Sequence, residues 1–98
     1  MKITKSMNGT ALEVALEGRL DTTTAPELEQ ELKNSLDGAT ELTMDFSKLD
    51  YISSAGLRVL LSAHKTMRAK GGMKVTNVNE IVKEVFDVTG FADILTIE

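Results

Sequence analysis

Apolar and polar residues alternate with a period of two near the start of the chain. Ile3 and Met7 share a face with the apolar stem of Lys5, and Leu12, Val14 and Leu16 alternate with Glu13, Ala15 and Glu17. That period marks half-buried strands. Asn8-Gly9 stands between the two runs and predicts a type I′ turn, whose two central positions need φ > 0. Two antiparallel strands are expected over about 2–7 and 10–18. The period then lengthens. Ala25, Leu28, Leu32 and Leu36 form a helical stripe, with Thr24 and Glu27 as a capping box and Pro26 in the first turn. This helix, about 25–36, closes near Asp37-Gly38.

Leu42, Met44 and Phe46 alternate with Glu41, Thr43 and Asp45, which predicts a strand over about 41–46. Residues 53–69 carry a helical pattern that Gly71-Gly72 stops. Met73 and Val75, with Val78 at the margin, form another strand. Ile81, Val82, Val85 and Phe86 mark a further amphipathic helix, with Gly90 as its C′ residue. Ile94, Leu95 and Ile97 suggest a short last strand. The order is β-β-α-β-α-β-α-β. It implies an α/β fold: a mixed sheet opening with an antiparallel hairpin, right-handed crossovers, and helices packed on the sheet. One domain fills residues 1–98, without repeat or linker.

Composition narrows the chemistry. There is no cysteine, so disulfides and thiol chemistry are excluded, and one histidine cannot build a multi-histidine metal site. No cofactor is expected. The net charge is −4, which gives no attraction to a phosphate backbone. With no tryptophan and 4% aromatics there is no base-stacking platform. Nucleic-acid binding is therefore not expected. No apolar run approaches the ~18 residues of a membrane span, and Met1-Lys2-Ile3-Thr4 does not open a signal peptide. The cytoplasm is the expected location.

The informative stretch runs from Leu49 to Leu61. A helix here opens on Ser53, Ser54, Ala55 and Gly56. On a wheel of ~100° per residue, Leu57, Val59, Leu60, Leu61, Ala63, His64 and Met67 cover a broad apolar arc. Arg58, Ser62, Lys65 and Thr66 lie opposite, and Ser54 falls beside Arg58 and Lys65, whereas Ser53 falls on the apolar side. A serine at a helix start is ordinarily a cap. The alternative is an exposed hydroxyl that accepts a phosphate, with free amides and the positive helix end to receive it and Arg58 one turn on. Gly56, lacking a Cβ, would let a partner backbone approach closely. The glycines and lysine of a P-loop are absent.

Gly18-Arg19-Leu20-Asp21 through Glu27-Leu28, the strand end Met44-Asp45-Phe46, Ser53-Ser54-Ala55-Gly56-Leu57 and the final Phe86-Asp87-Val88-Thr89-Gly90-Phe91 together resemble the anti-sigma factor antagonists of bacteria, which are single STAS domains. The resemblance spans essentially the whole chain. It implies a STAS fold and a partner switch. The unphosphorylated antagonist binds an anti-sigma factor that is a GHKL-type serine kinase and so releases a sigma factor. Phosphorylation of one serine at this helix start ends the binding, and a PP2C-type phosphatase resets it. The family pattern Asp-Ser-Ser/Thr-Gly, aligned on Gly56, puts the phosphorylated serine at Ser54. Ser53 then stands for the Asp and Ala55 for the second hydroxyl residue. Asp21 matches an acidic position that the family keeps near that serine; alone, it reads as a turn or cap residue. The implied partner surface is Asp21, Thr22, Ser53, Ser54, Ala55, Gly56 and Arg58.

Two other classes compete. One is a STAS subunit of a constitutive stress-signalling or lipid-transport complex that is never phosphorylated. The other is a small hydrolase or phosphotransfer enzyme. His64 sits mid-stripe as a partly buried, satisfied histidine, and ten residues of helix separate it from Ser54 by about 15 Å. It cannot serve that hydroxyl as a base. Asp45 alone would stand for the phosphoacceptor of a receiver domain, but the acidic pair is missing and the opening hairpin contradicts that topology.

Overall fold

The two periodicities become alternating strands and helices. The computed structural model describes residues 1–98 as β1 (Lys2–Asn8), β2 (Ala11–Leu20), α1 (Ala25–Ser35), β3 (Glu41–Ile52), α2 (Ser54–Arg68), β4 (Met73–Thr76), α3 (Glu80–Thr89) and β5 (Thr96–Ile97). Short 3-10 turns follow α1 at Leu36–Gly38 and α3 at Phe91–Asp93. The strands lie in chain order in one sheet. β1 runs antiparallel to β2, and β2, β3, β4 and β5 are parallel neighbours.

Burial alternates along β2, β4 and the first half of β3 as a one-sided sheet requires, whereas β1 is exposed except for the half-buried Ile3. Leu12, Val14 and Leu16 of β2, Leu42, Met44 and Phe46 of β3, and Met73 and Val75 of β4 are buried. Glu13 and Lys74 on the opposite face are exposed, and Thr43 is half-buried. The buried face receives Leu28 and Leu32 of α1, Leu60, Ala63 and Met67 of α2, and Val82 and Phe86 of α3 in one continuous core. The Phe46 and Phe86 rings, 6.4 Å apart and tilted by 35°, tie α3 to β3. No helix is long and apolar enough to cross a membrane.

Several local details differ from the sequence reading. The hairpin loop is Gly9-Thr10, because Asn8 still pairs with Ala11. Gly9 alone takes positive φ (64°), the type II′ pattern rather than I′. β3 runs on to Ile52 instead of ending near Phe46. Its apolar alternation breaks at the exposed Ser47 and Lys48, beside one of two register irregularities with β2. The capping box at Thr24 does not form. The Thr24 hydroxyl instead donates to the Arg19 carbonyl and accepts the Asp21 amide, both at 2.8 Å. Ile94 is 44% exposed behind the 3-10 turn, while Leu95 is buried and Ile97 packs partly buried against the core. A cap the sequence reading did not assign holds α3. Asn79 Oδ1 accepts the Val82 amide at 2.8 Å, and its Nδ2 donates to the Leu49 carbonyl at 2.7 Å.

Gly71 shows how tightly the α2–β4 connection is drawn. A Cβ placed there would lie 2.1 Å from the Thr40 carbonyl oxygen, a backbone atom that cannot swing away. A Cβ on Gly38 would meet nothing within 4 Å. Gly71→Ala is expected to cost about 2–4 kcal/mol, and Gly38→Ala to stay within about 0.5 kcal/mol of the parent. Chemical denaturation of the two variants checks the contrast.

Candidate functional site

The ends of β2 and β3 build the site. Leu20 pairs with Ile52, and the Leu20 carbonyl accepts the Ser53 amide at 2.9 Å. The first residues past each strand, Asp21 and Ser53, therefore leave the sheet side by side. One residue, Ser53, separates β3 from α2, so the helix turns back immediately over the strand ends. Gly56 makes that possible. A Cβ there would sit 2.7 Å from Leu20 Cγ and 2.9 Å from Ile52 Cγ1. The expectation that Gly56 opens the surface to a partner is corrected: it is buried and faces its own sheet. The missing side chain serves internal packing.

The serines divide as the wheel indicates. Ser54, the first residue of α2, is exposed, as is Arg58 one turn later. Arg58 makes no ion pair. Ala55 is half-buried. Ser53 occupies the N-cap position with extended backbone (φ −102°, ψ 176°) but makes no side-chain cap. Its Oγ is buried and has no hydrogen-bond partner. Neither serine therefore spends its hydroxyl on capping α2, whose first amides have no intrahelical acceptors. The helix end keeps its positive character beside Ser54.

Asp21 organises the facing loop. Its Oδ1 accepts the Thr23 hydroxyl at 2.7 Å, the Thr23 amide at 3.0 Å and the Thr24 amide at 3.2 Å. Those bonds, the Thr23 hydroxyl foremost, together hold its carboxyl below the usual carboxylate range against the opposing effect of burial. This satisfies the turn reading of Asp21 and leaves Thr22 exposed at the tip. Two residues with no role in the sequence reading join here. Arg19 and Tyr51 are cross-strand partners, with the guanidinium 4.7 Å from the ring centroid. Arg19 Nε also lies 3.8 Å from Asp21 Oδ2. Their signal was hidden because Tyr51 was read as loop rather than strand.

The principal hollows of the surface are lined without any of the seven sequence-predicted residues. The arrangement lies at the C-terminal strand ends, outside those hollows, and so is not one of the enclosed sites that small molecules ordinarily occupy. His64 is half-buried as expected but not satisfied, for its Nδ1 is buried without a partner. It lines a separate hollow of about 360 Å³ with Arg68, Lys74, Glu41 and Glu98. Asp45 is also accounted for locally. Its carboxylate accepts Asn77 Nδ2 at 3.0 Å and the Ser47 amide at 2.9 Å, and these bonds, Asn77 first, lower its pKa.

A mixed sheet under one layer of three helices, with an exposed helix start at its strand ends, is a small α/β domain, and the comparisons place it in a family. The STAS domain family matches residues 2–98. BtrV of Bordetella bronchiseptica, provisionally named an anti-sigma factor antagonist, is 36% identical over 99% of this chain and 85% of its own length. The anti-sigma-B factor antagonist of Bacillus subtilis is 30% identical over 92% of this chain and 84% of its own. In fold, the anti-sigma factor antagonist SpoIIAA in its unphosphorylated form superimposes with a TM-score of 0.85 at 18% identity, covering 99% of this chain and 88% of that one. Its phosphorylated form gives 0.76 at 17% identity, covering 99% and 91%. The chain belongs to the STAS domain family and, within it, to the anti-sigma factor antagonists.

Two outcomes test this description of the site. An N-cap Ser→Ala change ordinarily costs about 1 kcal/mol. At Ser53 the hydroxyl is buried and unpaired, so Ser53→Ala should leave the melting temperature unchanged or raise it. Asp21 should titrate below the usual carboxylate range in NMR-detected pH titration, and Thr23→Ala should move it back upward. Because its folded pKa is depressed, Asp21's contribution to stability is complete above about pH 4, the unfolded value. It is lost as pH falls through the lower folded value.

Proposed function

We propose that this chain is a phosphorylation-controlled partner switch. Unphosphorylated, the strand-end face docks on an anti-sigma factor that is a GHKL-type serine kinase, and a sigma factor is released. The kinase phosphorylates Ser54, docking ends, and a PP2C-type phosphatase restores the free hydroxyl. The cytoplasm, where kinase and sigma factor meet, is the compartment this requires. The observation that carries the reading is the exposure of Ser54 at an uncapped helix start, with Arg58 one turn on and Asp21 following the neighbouring strand end. The relatives' names and the solved phosphorylated form of SpoIIAA support it.

Magnitudes separate the effect on binding from the effect on folding. A phosphoryl group adds about −1.5 to −2 charges. At the positive end of α2 it is worth roughly 0.3–2 kcal/mol of stabilisation, so the fold survives. Pressed into an interface with no added cation, it costs several kcal/mol to desolvate. A penalty of ~3 kcal/mol lowers affinity about a hundredfold. One observation favours a second reading. Ser53 and Ala55 replace both neighbours of the modified serine in the family pattern, as a STAS subunit that binds constitutively without being phosphorylated would tolerate.

Ser54→Asp is expected to weaken binding to the cognate kinase about a hundredfold, with Ser54→Ala retaining it and both variants melting like the parent. Equal binding by the two removes Ser54 from the interface. Incubation with the kinase and ATP, followed by phosphosite mapping, should find the group on Ser54. An unmodified chain that still binds would favour the constitutive subunit.

A further inference from the structure

The third helix carries more apolar surface than the sheet takes up. At ~100° per residue, Val82 and Phe86 point into the core, where both are fully buried. Val85 lies half-buried at the margin. The apolar arc then continues outward through Ile81 and Val88, which are 60% and 80% exposed. Single exposed aliphatic residues are ordinary. A stripe of three, stacked over two turns of one helix, is the pattern of a helix-docking face. Its outer border is acidic. Glu84 and Glu80 lie beside the stripe on the wheel, Asp87 follows, and Lys83 is farthest away. These three acids are exposed and make no ion pair. The Asn79 bonds to Val82 and Leu49 fix the start of the helix, so the face is preformed.

We propose that the outer face of α3 docks a basic amphipathic helix of a partner protein, its apolar positions on Ile81, Val85 and Val88 and its Lys or Arg flank on Glu80 and Glu84. Charge chooses this occupant. A second copy of α3 laid on the stripe would set Glu80 and Glu84 against their own counterparts. This docking is independent of phosphorylation at Ser54.

The test titrates the ¹⁵N-labelled chain with a synthetic amphipathic helix of about five turns, some 18 residues, with leucines on one face and lysines flanking them. A counterpart carrying glutamates for the lysines serves as control. Saturable amide shifts centred on residues 80–89 are expected, with at least tenfold weaker binding by the control. The Ile81→Ser/Val88→Ser variant should bind at least tenfold more weakly and keep the parent melting curve. Glu80→Gln/Glu84→Gln should bind more weakly and with a shallower salt dependence. Shifts that avoid α3, or equal affinity for the two peptides, would overturn the proposal. So would concentration-dependent shifts on α3 without peptide, together with a dimer in sedimentation, which would assign the face to a second copy.

Discussion

Position 56 has no room for a side chain, and the shape of the molecule at the start of α2 follows from that. Leu20 and Ile52, the last residues of β2 and β3, fill the space a Cβ would need. Those two strands share the most extensive parallel pairing in the sheet, so their ends offer a firm floor. With Ser53 as the whole connection, α2 must fold back across that floor at contact distance. A residue without Cβ allows the approach. Seating Gly56 inward sets the rotation of the helix: the position three before it turns toward the sheet, and the position two before it turns out. Ser53 and Ser54 owe their opposite environments to this one contact.

The loop facing Ser54 is held by different physics. Asp21 is only partly covered by its neighbours, yet its carboxylate gathers the Thr23 and Thr24 amides and the Thr23 hydroxyl. These are bonds to a charged acceptor, which are stronger than bonds to a neutral one. Thr24, released from capping α1, ties the loop back to the Arg19 carbonyl. Arg19 in turn lies over Tyr51 across the sheet. The facing loop is thus ordered by local polar bonds, and the helix start by close packing. A charge arriving on Ser54 would meet a scaffold that does not depend on that hydroxyl.

Much of this was legible in the sequence where burial follows a regular period. β2, α1, α2 and α3 each present one apolar face, and each formed at the expected place. β3 was read short because Ser47 and Lys48 interrupt its alternation, and bulging residues carry no period of their own. Missing that extension hid Tyr51, and with it the Arg19 pairing. Thr24 and Glu27 fit a capping box locally, but Asp21, three residues upstream, engages the Thr24 amide and its own amide engages the Thr24 hydroxyl. The hairpin shows a similar one-residue displacement. Asn8 is still paired, so the only positive φ falls on Gly9. Among the site residues, the outward turn of Ser54 was readable from the wheel. The inward role of Gly56 was not, because it depends on Leu20, 36 positions away in the chain.

A sheet with four parallel strands usually has both faces covered. Here the helices cover one face, and the other remains polar through residues such as Glu13, Thr43 and Lys74. That face has little apolar surface to offer a partner. The helix layer differs, because covering a small sheet with three helices leaves helix ends and flanks unshielded. Ser54 stands at one such end, and Ile81 and Val88 along one such flank. β3 connects the two. Its Ile52 supports the start of α2, and its Leu49 carbonyl takes the bond that anchors the start of α3. The extension of β3 beyond Phe46, which the alternation concealed, is therefore the segment that positions both exposed features against one rigid strand.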